Sequence, residues 1–216
     1  MKNYAGIWLP DAEQHLIDWM KKKNTIVAGK PTYQYDKLAA AMKWVKQFRS
    51  AVDVGAHCGL WSMHMARSFE TLHAFEPLAE HRDCWEKNLE GSGALLYGFA
   101  LGDKDASVAI KTAETSTGDS WVDDAETGDI PMRRLDDFAL GEVDFIKLDC
   151  EGYELPALRG AEQTLIRCQP CVIVEQKPGR AQKFGFKETG AVHYLQDLGA
   201  KLRQAISGDY ILSWDR

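Results

Sequence analysis

From residue 51 onward the chain alternates short, mostly apolar runs with longer amphipathic stretches. The runs fall at 51–54, 72–75, 95–101, 143–148 and 171–174. Because they are mostly apolar rather than alternating, they predict strands covered on both faces. The stretches between them carry apolar residues at helical spacing over 60–69, 78–89 (Cys84, Trp85 and Leu89, with Asn88 beside them) and 155–166 (Leu155, Leu158, Ala161, Leu165). Strand followed by helix with short connections predicts an α/β domain: a mostly parallel sheet with helices on both faces. Two further runs, 200–205 and 209–214, flank Ser207-Gly208 and predict a C-terminal antiparallel hairpin. The first fifty residues read as helical. Asp11 with Gln14 forms a capping-box pattern ahead of Ala12, Leu16, Ile17 and Met20, and Leu38, Ala41, Met42, Val45 and Phe48 mark a second helix. Residues 27–35 between them form a loop or lid. The chain thus divides into an N-terminal helical segment, 1–49, and a sheet domain, 50–216. Residues 112–131 are polar, glycine-containing and long for a connection, and predict a mobile flap over a binding pocket.

Bulk properties narrow the class. The 216 residues are 45% hydrophobic and 27% charged, enough to bury roughly 70% of the unfolded surface without disulfides or metals. The net charge of −6 argues against a nucleic-acid backbone as the default partner. No apolar run reaches membrane-spanning length and the start lacks a signal-peptide core, so the expectation is a cytoplasmic protein with no membrane association. Five irregularly spaced cysteines suit reduced thiols. Cys168 and Cys171 have the spacing of a metal pair, but no second pair or histidine cluster completes it, and no metal site is expected.

Three segments carry chemistry. Asp53-Val54-Gly55-Ala56-His57-Cys58-Gly59 is a strand running into a glycine loop and a helix, where Gly55 and Gly59 would let backbone approach a ligand and helix N–H groups would face a carboxylate. The Gly-x-x-x-Gly spacing is not the nicotinamide fingerprint, and no Gly-Lys-Ser/Thr follows. Second, Phe75-Glu76-Pro77 ends the next strand in an acid, placed to hold ribose hydroxyls. A ligand with a ribose and a carboxylate but no phosphate fits S-adenosyl-L-methionine. Third, 143–154 delivers Asp149, Glu151 and Glu154 to a strand end, more acids than capping a helix requires.

These motifs, with Leu158-Arg159-Gly160-Ala161, Ala100-Leu101-Gly102-Asp103 and Leu135-Asp136-Asp137, resemble the FkbM-type family of class I S-adenosylmethionine-dependent methyltransferases over roughly residues 50–214. Position 57, often Asn in that family, is His here. The resemblance implies a Rossmann-like, seven-stranded sheet and methylation of a hydroxyl on a sugar or small metabolite. In class I enzymes, segments outside the core such as 1–49 commonly cover the acceptor; plain sheet packing is the other reading. The cofactor is expected against Asp53, Gly55, Ala56, His57, Gly59, Glu76, Pro77, Ala100, Leu101 and Asp149. A hydroxyl must lose its proton during attack, and the candidate bases are Glu151 and Asp149 first, then Glu175, Lys177, His57 and His193. N-methylation of a protein or other amine is an alternative, although Asp149-Cys150-Glu151-Gly152 stands where base-modifying enzymes often carry Asn/Asp-Pro-Pro-Tyr. A non-catalytic cofactor-binding module is another. The partner is a small-molecule or saccharide acceptor, with oligomeric state open.

Overall fold

The computed structural model describes residues 1–112, 117–123 and 128–215. The N-terminal segment contains β1 (Lys2–Tyr4), β2 (Ile7–Leu9), α1 (His15–Lys23), β3 (Ile26–Val27), β4 (Lys30–Pro31) and α2 (Tyr35–Met42). Then follow β5 (Ser50–Val54), α3 (Ser62–Met65), β6 (Thr71–Phe75), α4 (Ala79–Asn88), β7 (Leu95–Tyr97), β8 (Ala100–Leu101), β9 (Ala106–Thr112), β10 (Ser120–Asp123) and β11 (Ile130–Arg133). The last third comprises β12 (Phe145–Leu148), α5 (Glu154–Arg159), α6 (Glu162–Cys168), β13 (Cys171–Glu175), α7 (Gly190–Asp197), β14 (Lys201–Ile206) and β15 (Asp209–Ser213).

The main sheet has seven strands in the order β14-β15-β13-β12-β5-β6-β7. The five from β13 to β7 are parallel, and β15 and β14 add the expected antiparallel hairpin at one edge. Alternation along the strands separates two cores. Val52, Val54, Ile146, Leu148 and Val172 face α5, α6 and α7 through Leu158, Leu165 and Leu195. Ala51, Phe145 and Ile173 face the other side, where Ile7, Leu9, Leu16, Met20, Leu38 and Ala41 of the N-terminal segment join Trp61, Met65 and Trp85. The first 49 residues therefore share a core with the sheet. Among the described residues, no helix is long and apolar enough to cross a membrane.

The structure corrects several local expectations. The N-terminal segment is not simply helical: two small hairpins turn at Ala5-Gly6 and Ala28-Gly29, both residues of each in the left-handed region, as in the Ser207-Gly208 turn. That is the type I′ geometry matching strand twist. Asp11 and Gln14 form no capping box. Asp11 pairs with the Met1 amino group, and the Leu16 N–H donates to Glu13 Oε1 instead. The second helix ends at Met42, short of Val45 and Phe48. The 60–69 helix contracts to α3. The 95–101 run breaks at Gly98-Phe99, so β7 stays in the main sheet while β8 pairs with β11 in a second sheet of order β10-β9-β11-β8. The 155–166 helix divides at Gly160, where a Cβ would lie 1.9 Å from the Gly102 carbonyl oxygen. Asp136 restarts it by accepting from the Gln163 and Thr164 N–H groups. The 112–131 segment is not a plain loop: it includes β10 and the first strand residues of β11, while 113–116 and 124–127 lie outside the described residues.

Candidate active site

After β7 the chain returns across β5 to form β12, so the connections from β5 and β12 diverge to opposite sides. This switch point is where open parallel sheets bind ligands, beyond the carboxyl ends of the strands. Gly55 ends β5 with φ +72°, and a Cβ there would sit 2.0 Å from the Asp149 carbonyl oxygen. The two loops touch, and only glycine allows it. Gly59 serves packing too: its Cβ would meet Leu89 and Trp85 of α4 at 2.6 and 2.8 Å. The N–H groups of Gly55 and Ala56 donate to the Phe75 carbonyl, that of His57 to Glu76 and that of Gly59 to Ala56. These four N–H groups are thus satisfied within the protein, which leaves the expected contact with a carboxylate to the N–H groups at the start of the helix that follows.

Asp53 is fully buried on β5. Its Oδ2 accepts from Ser62 Oγ at 2.6 Å, and its Oδ1 lies 3.3 Å from Nζ of Lys147, its register partner on β12. Lys147 also donates to the Gly55 carbonyl at 2.8 Å. Burial opposes its charge, but Asp53 and Asp149 outweigh that and raise its pKa. This charged residue inside an apolar strand was the clearest overlooked signal.

Two adjoining pockets open here. The first, about 600 Å³, is lined by Glu76, Pro77, Phe99, Ala100 and Leu101 along with Thr117, Gly118 and Val122. Glu76 is buried; its Oε2 accepts from the His57 N–H at 2.8 Å, and its Oε1 from the Leu78 N–H at 2.9 Å and His81 Nδ1 at 3.2 Å. A carboxylate accepts about four hydrogen bonds, so capacity remains for a ribose hydroxyl. The second pocket, about 730 Å³, is lined by Glu13, His15, Tyr33, Ala56, Trp61, Lys147 and Lys177. Gly55, His57, Gly118, Asp149 and Glu151 border both.

At that shared border the carboxylates of Asp149, Glu151 and Glu175 converge, with one oxygen from each within 4.8 Å of the others. Such a set could ligate a cation, but two of the three already face one. Glu151 Oε2 lies 2.5 Å from Arg180 Nη1, and Glu175 Oε1 lies 2.7 Å from Lys177 Nζ. Burial, then the charge of Asp149, pushes Glu151 up to about 8 and Glu175 up to about 9. Glu151 adopts φ +54° and caps no helix; Gly152 beside it packs against the Arg180 backbone. Glu154 instead closes the turn, accepting from the Cys150 and Gly152 N–H groups. Burial raises the Tyr33 hydroxyl as well, helped by Asp149 and Glu175.

Of the expected residues, the structure gathers Gly55, Ala56, His57, Glu76, Pro77, Ala100, Leu101, Asp149, Glu151 and Lys177 around the pockets, with Glu175 in the carboxylate cluster and Asp53 directly behind. Gly59 turns away, and His193 is exposed on α7, lining neither pocket. Thr117 and Asp119 come from the 112–131 segment expected over the pocket, although neither was named singly, and Glu13, Tyr33 and Arg180 were not foreseen.

The Methyltransferase FkbM domain profile matches residues 53–204, more than half of the chain. The chain belongs to the FkbM methyltransferase family. Methyltransferase 1 of Beauveria bassiana (strain ARSEF 2860) is 29% identical over 144 residues, covering 51% of this chain and 57% of that relative. The FkbM chain therefore matches little more than half the relative's length. Among solved structures, the precorrin-6y C5,15-methyltransferase of Geobacter metallireducens GS-15 is 14% identical, with a TM-score of 0.51 over 99% of this chain and 100% of its own. SMU.1697c of Streptococcus mutans, solved in complex with SAH, is 8% identical, with a TM-score of 0.52 over 84% and 96%. These likenesses establish for this FkbM chain the class I methyltransferase fold.

Proposed function

We propose that this chain is an S-adenosylmethionine-dependent methyltransferase acting on a hydroxyl of a sugar or small metabolite. The observation that carries the reading is the meeting of half-buried Asp149 with buried Glu151 and Glu175 at the seam between the two pockets. The first pocket suits a nucleoside: Glu76 for the ribose hydroxyls, with Phe99, Ala100 and Leu101 as apolar wall for the adenine. Asp149 stands where a ligand's amino group would need a counter-charge. S-adenosylmethionine, when bound, supplies a methyl group activated by its sulfonium. The protein's part is alignment, exclusion of water and removal of one proton. The second pocket, closed on one side by Glu13, His15 and Tyr33 of the N-terminal segment, suits the acceptor. Glu151 takes the proton from the acceptor oxygen as that oxygen attacks, and a pKa near 8 lets a carboxylate hold it at neutral pH. Lys177 and Arg180 keep the neighbouring acids from all resisting ionisation together.

The affinity of Glu76→Ala for S-adenosylhomocysteine, read by calorimetry, tests the cofactor assignment. Loss of the charge-assisted hydrogen bonds should weaken binding about ten- to hundredfold. Unchanged affinity would remove Glu76 from the cofactor site. Once an acceptor is in hand, Glu151→Gln should lower turnover about a hundredfold or more with binding retained.

A further inference from the structure

We propose that Glu13 is a positioning residue of the cofactor site, acting through Thr117 and His57 on Glu76. The proposal rests on the reading of Glu76 as the ribose-binding acid, and it concerns a residue outside the 53–204 stretch that carries the family match.

Glu13 is 0% exposed, and among the described residues no lysine, arginine or histidine forms a salt bridge with it. A buried carboxylate of that kind is tolerated only when hydrogen bonds meet its charge. Its Oε1 accepts from the Leu16 N–H at 2.8 Å. Its Oε2 accepts from the Thr117 N–H at 3.2 Å and from Thr117 Oγ1 at 2.6 Å. Two of the three donors thus come from a residue 104 positions away in sequence. Thr117 in turn lies 2.9 Å from His57 Nε2.

The backbone N–H groups of Leu16 and Thr117 both donate to Glu13, which suits an acceptor-only carboxylate, and for that form the row has one proton arrangement. An ionised carboxylate only accepts, so the Thr117 hydroxyl donates to Glu13. The Thr117 oxygen is then the acceptor, and His57 must carry its proton on Nε2. Nδ1 is left bare, facing Cys58 Sγ at 3.2 Å. Burial, then His81 and Lys147, keeps the ring neutral. Glu13 therefore selects one tautomer of His57 and fixes its ring.

Ring and backbone are linked. His57 sits at φ +50°, a left-handed conformation that a residue with a Cβ adopts only under constraint. In that conformation its N–H reaches Glu76 Oε2 at 2.8 Å. Releasing the ring frees the backbone to relax and the Glu76 carboxylate to rotate. The same contacts hold Thr117 and Gly118 down as a wall of the nucleoside pocket. The N-terminal segment thereby sets the geometry of a site whose motifs all lie elsewhere in the chain.

The test uses the full chain with Glu13→Gln, Thr117→Val and Thr117→Ser, and Asp18→Asn on the exposed face of α1 as control. Affinity for S-adenosylhomocysteine is measured by calorimetry, melting temperature by circular dichroism, and the His57 tautomer by ring nitrogen chemical shifts. Thr117→Val removes one hydroxyl at constant shape; it should weaken binding about tenfold in the folded protein and also lower the melting temperature, because the buried Glu13 loses a donor. Thr117→Ser restores the hydroxyl and should restore affinity; Glu13→Gln should behave like Thr117→Val. In the wild type His57 should be the Nε2–H tautomer, and Thr117→Val should lose that signature. Wild-type affinity in Thr117→Val, or an Nδ1–H tautomer in the wild type, overturns this proposal alone. Absence of binding by the wild type overturns the cofactor reading and this proposal with it.

Discussion

Replacing Glu151 by Gln separates the electrostatics of the carboxylate cluster from its packing. Glu151 is 7% exposed, and burial with the charge of Asp149 raises it from 4.5 to about 8 against the pull of Arg180 and Lys177. The folded protein therefore holds this proton more tightly than the unfolded chain does. The resulting stabilisation is fully present below pH 4.5 and is lost as pH rises through about 8. At about 1.4 kcal/mol per unit, the interval corresponds to at most roughly 5 kcal/mol. Glu175, raised to about 9 in the same cluster, overlaps with this contribution rather than adding to it in full. In a chain of this size, each kcal/mol moves the melting temperature by about 2–4 °C. Between pH 5 and pH 9 the ligand-free wild type should thus lose roughly 5–15 °C more than Glu151→Gln, whose amide does not titrate. Calorimetric melts at pH 5, 7 and 9 give both slopes. The absolute melting temperature of the variant is not diagnostic, because Gln also loses the Arg180 ion pair; the slope is. Parallel slopes would refute the raised pKa of Glu151 and with it the tuning that makes this residue a base.

Two further substitutions probe the switch point by urea unfolding. Gly55→Ala meets both the left-handed backbone and the Asp149 carbonyl at 2.0 Å, and should destabilise by at least about 2 kcal/mol; a neutral effect would mean that the two loops are not in contact. Lys147→Met leaves Asp53 buried without its cation and should cost about 3–5 kcal/mol. A cost below about 1 kcal/mol would show that Ser62 alone satisfies Asp53.

The central strands were legible because β5, β6, β12 and β13 are largely buried on both faces and advertise it as apolar runs interrupted only by single residues such as Asp53, His73 and Lys147. The acids at their ends were legible for the same reason: Glu76, Asp149 and Glu175 each follow such a run directly. What escaped the sequence depends on contacts distant along the chain. The split at Gly160 is set by the Gly102 carbonyl and the Asp136 side chain, neither of which local periodicity reports. The hairpins at Ala5-Gly6 and Ala28-Gly29 have strands of two or three residues, too short to show alternation. Glu13 read as one more polar residue near a helix start, and only the fold brings it to Thr117 and His57. The glycine loop carries a packing reason that its spacing did not show: side chains at Gly55 and Gly59 would meet Asp149, Trp85 and Leu89.

A crystal structure with S-adenosylhomocysteine shows directly where the cofactor lies. The ribose hydroxyls should bond to Glu76, the adenine should rest against Phe99, Ala100 and Leu101, and the sulfur should point across the Asp149–Glu151 border into the pocket walled by Tyr33 and Glu13. A nucleoside bound away from Glu76, or a sulfur facing away from Glu151, would contradict that placement.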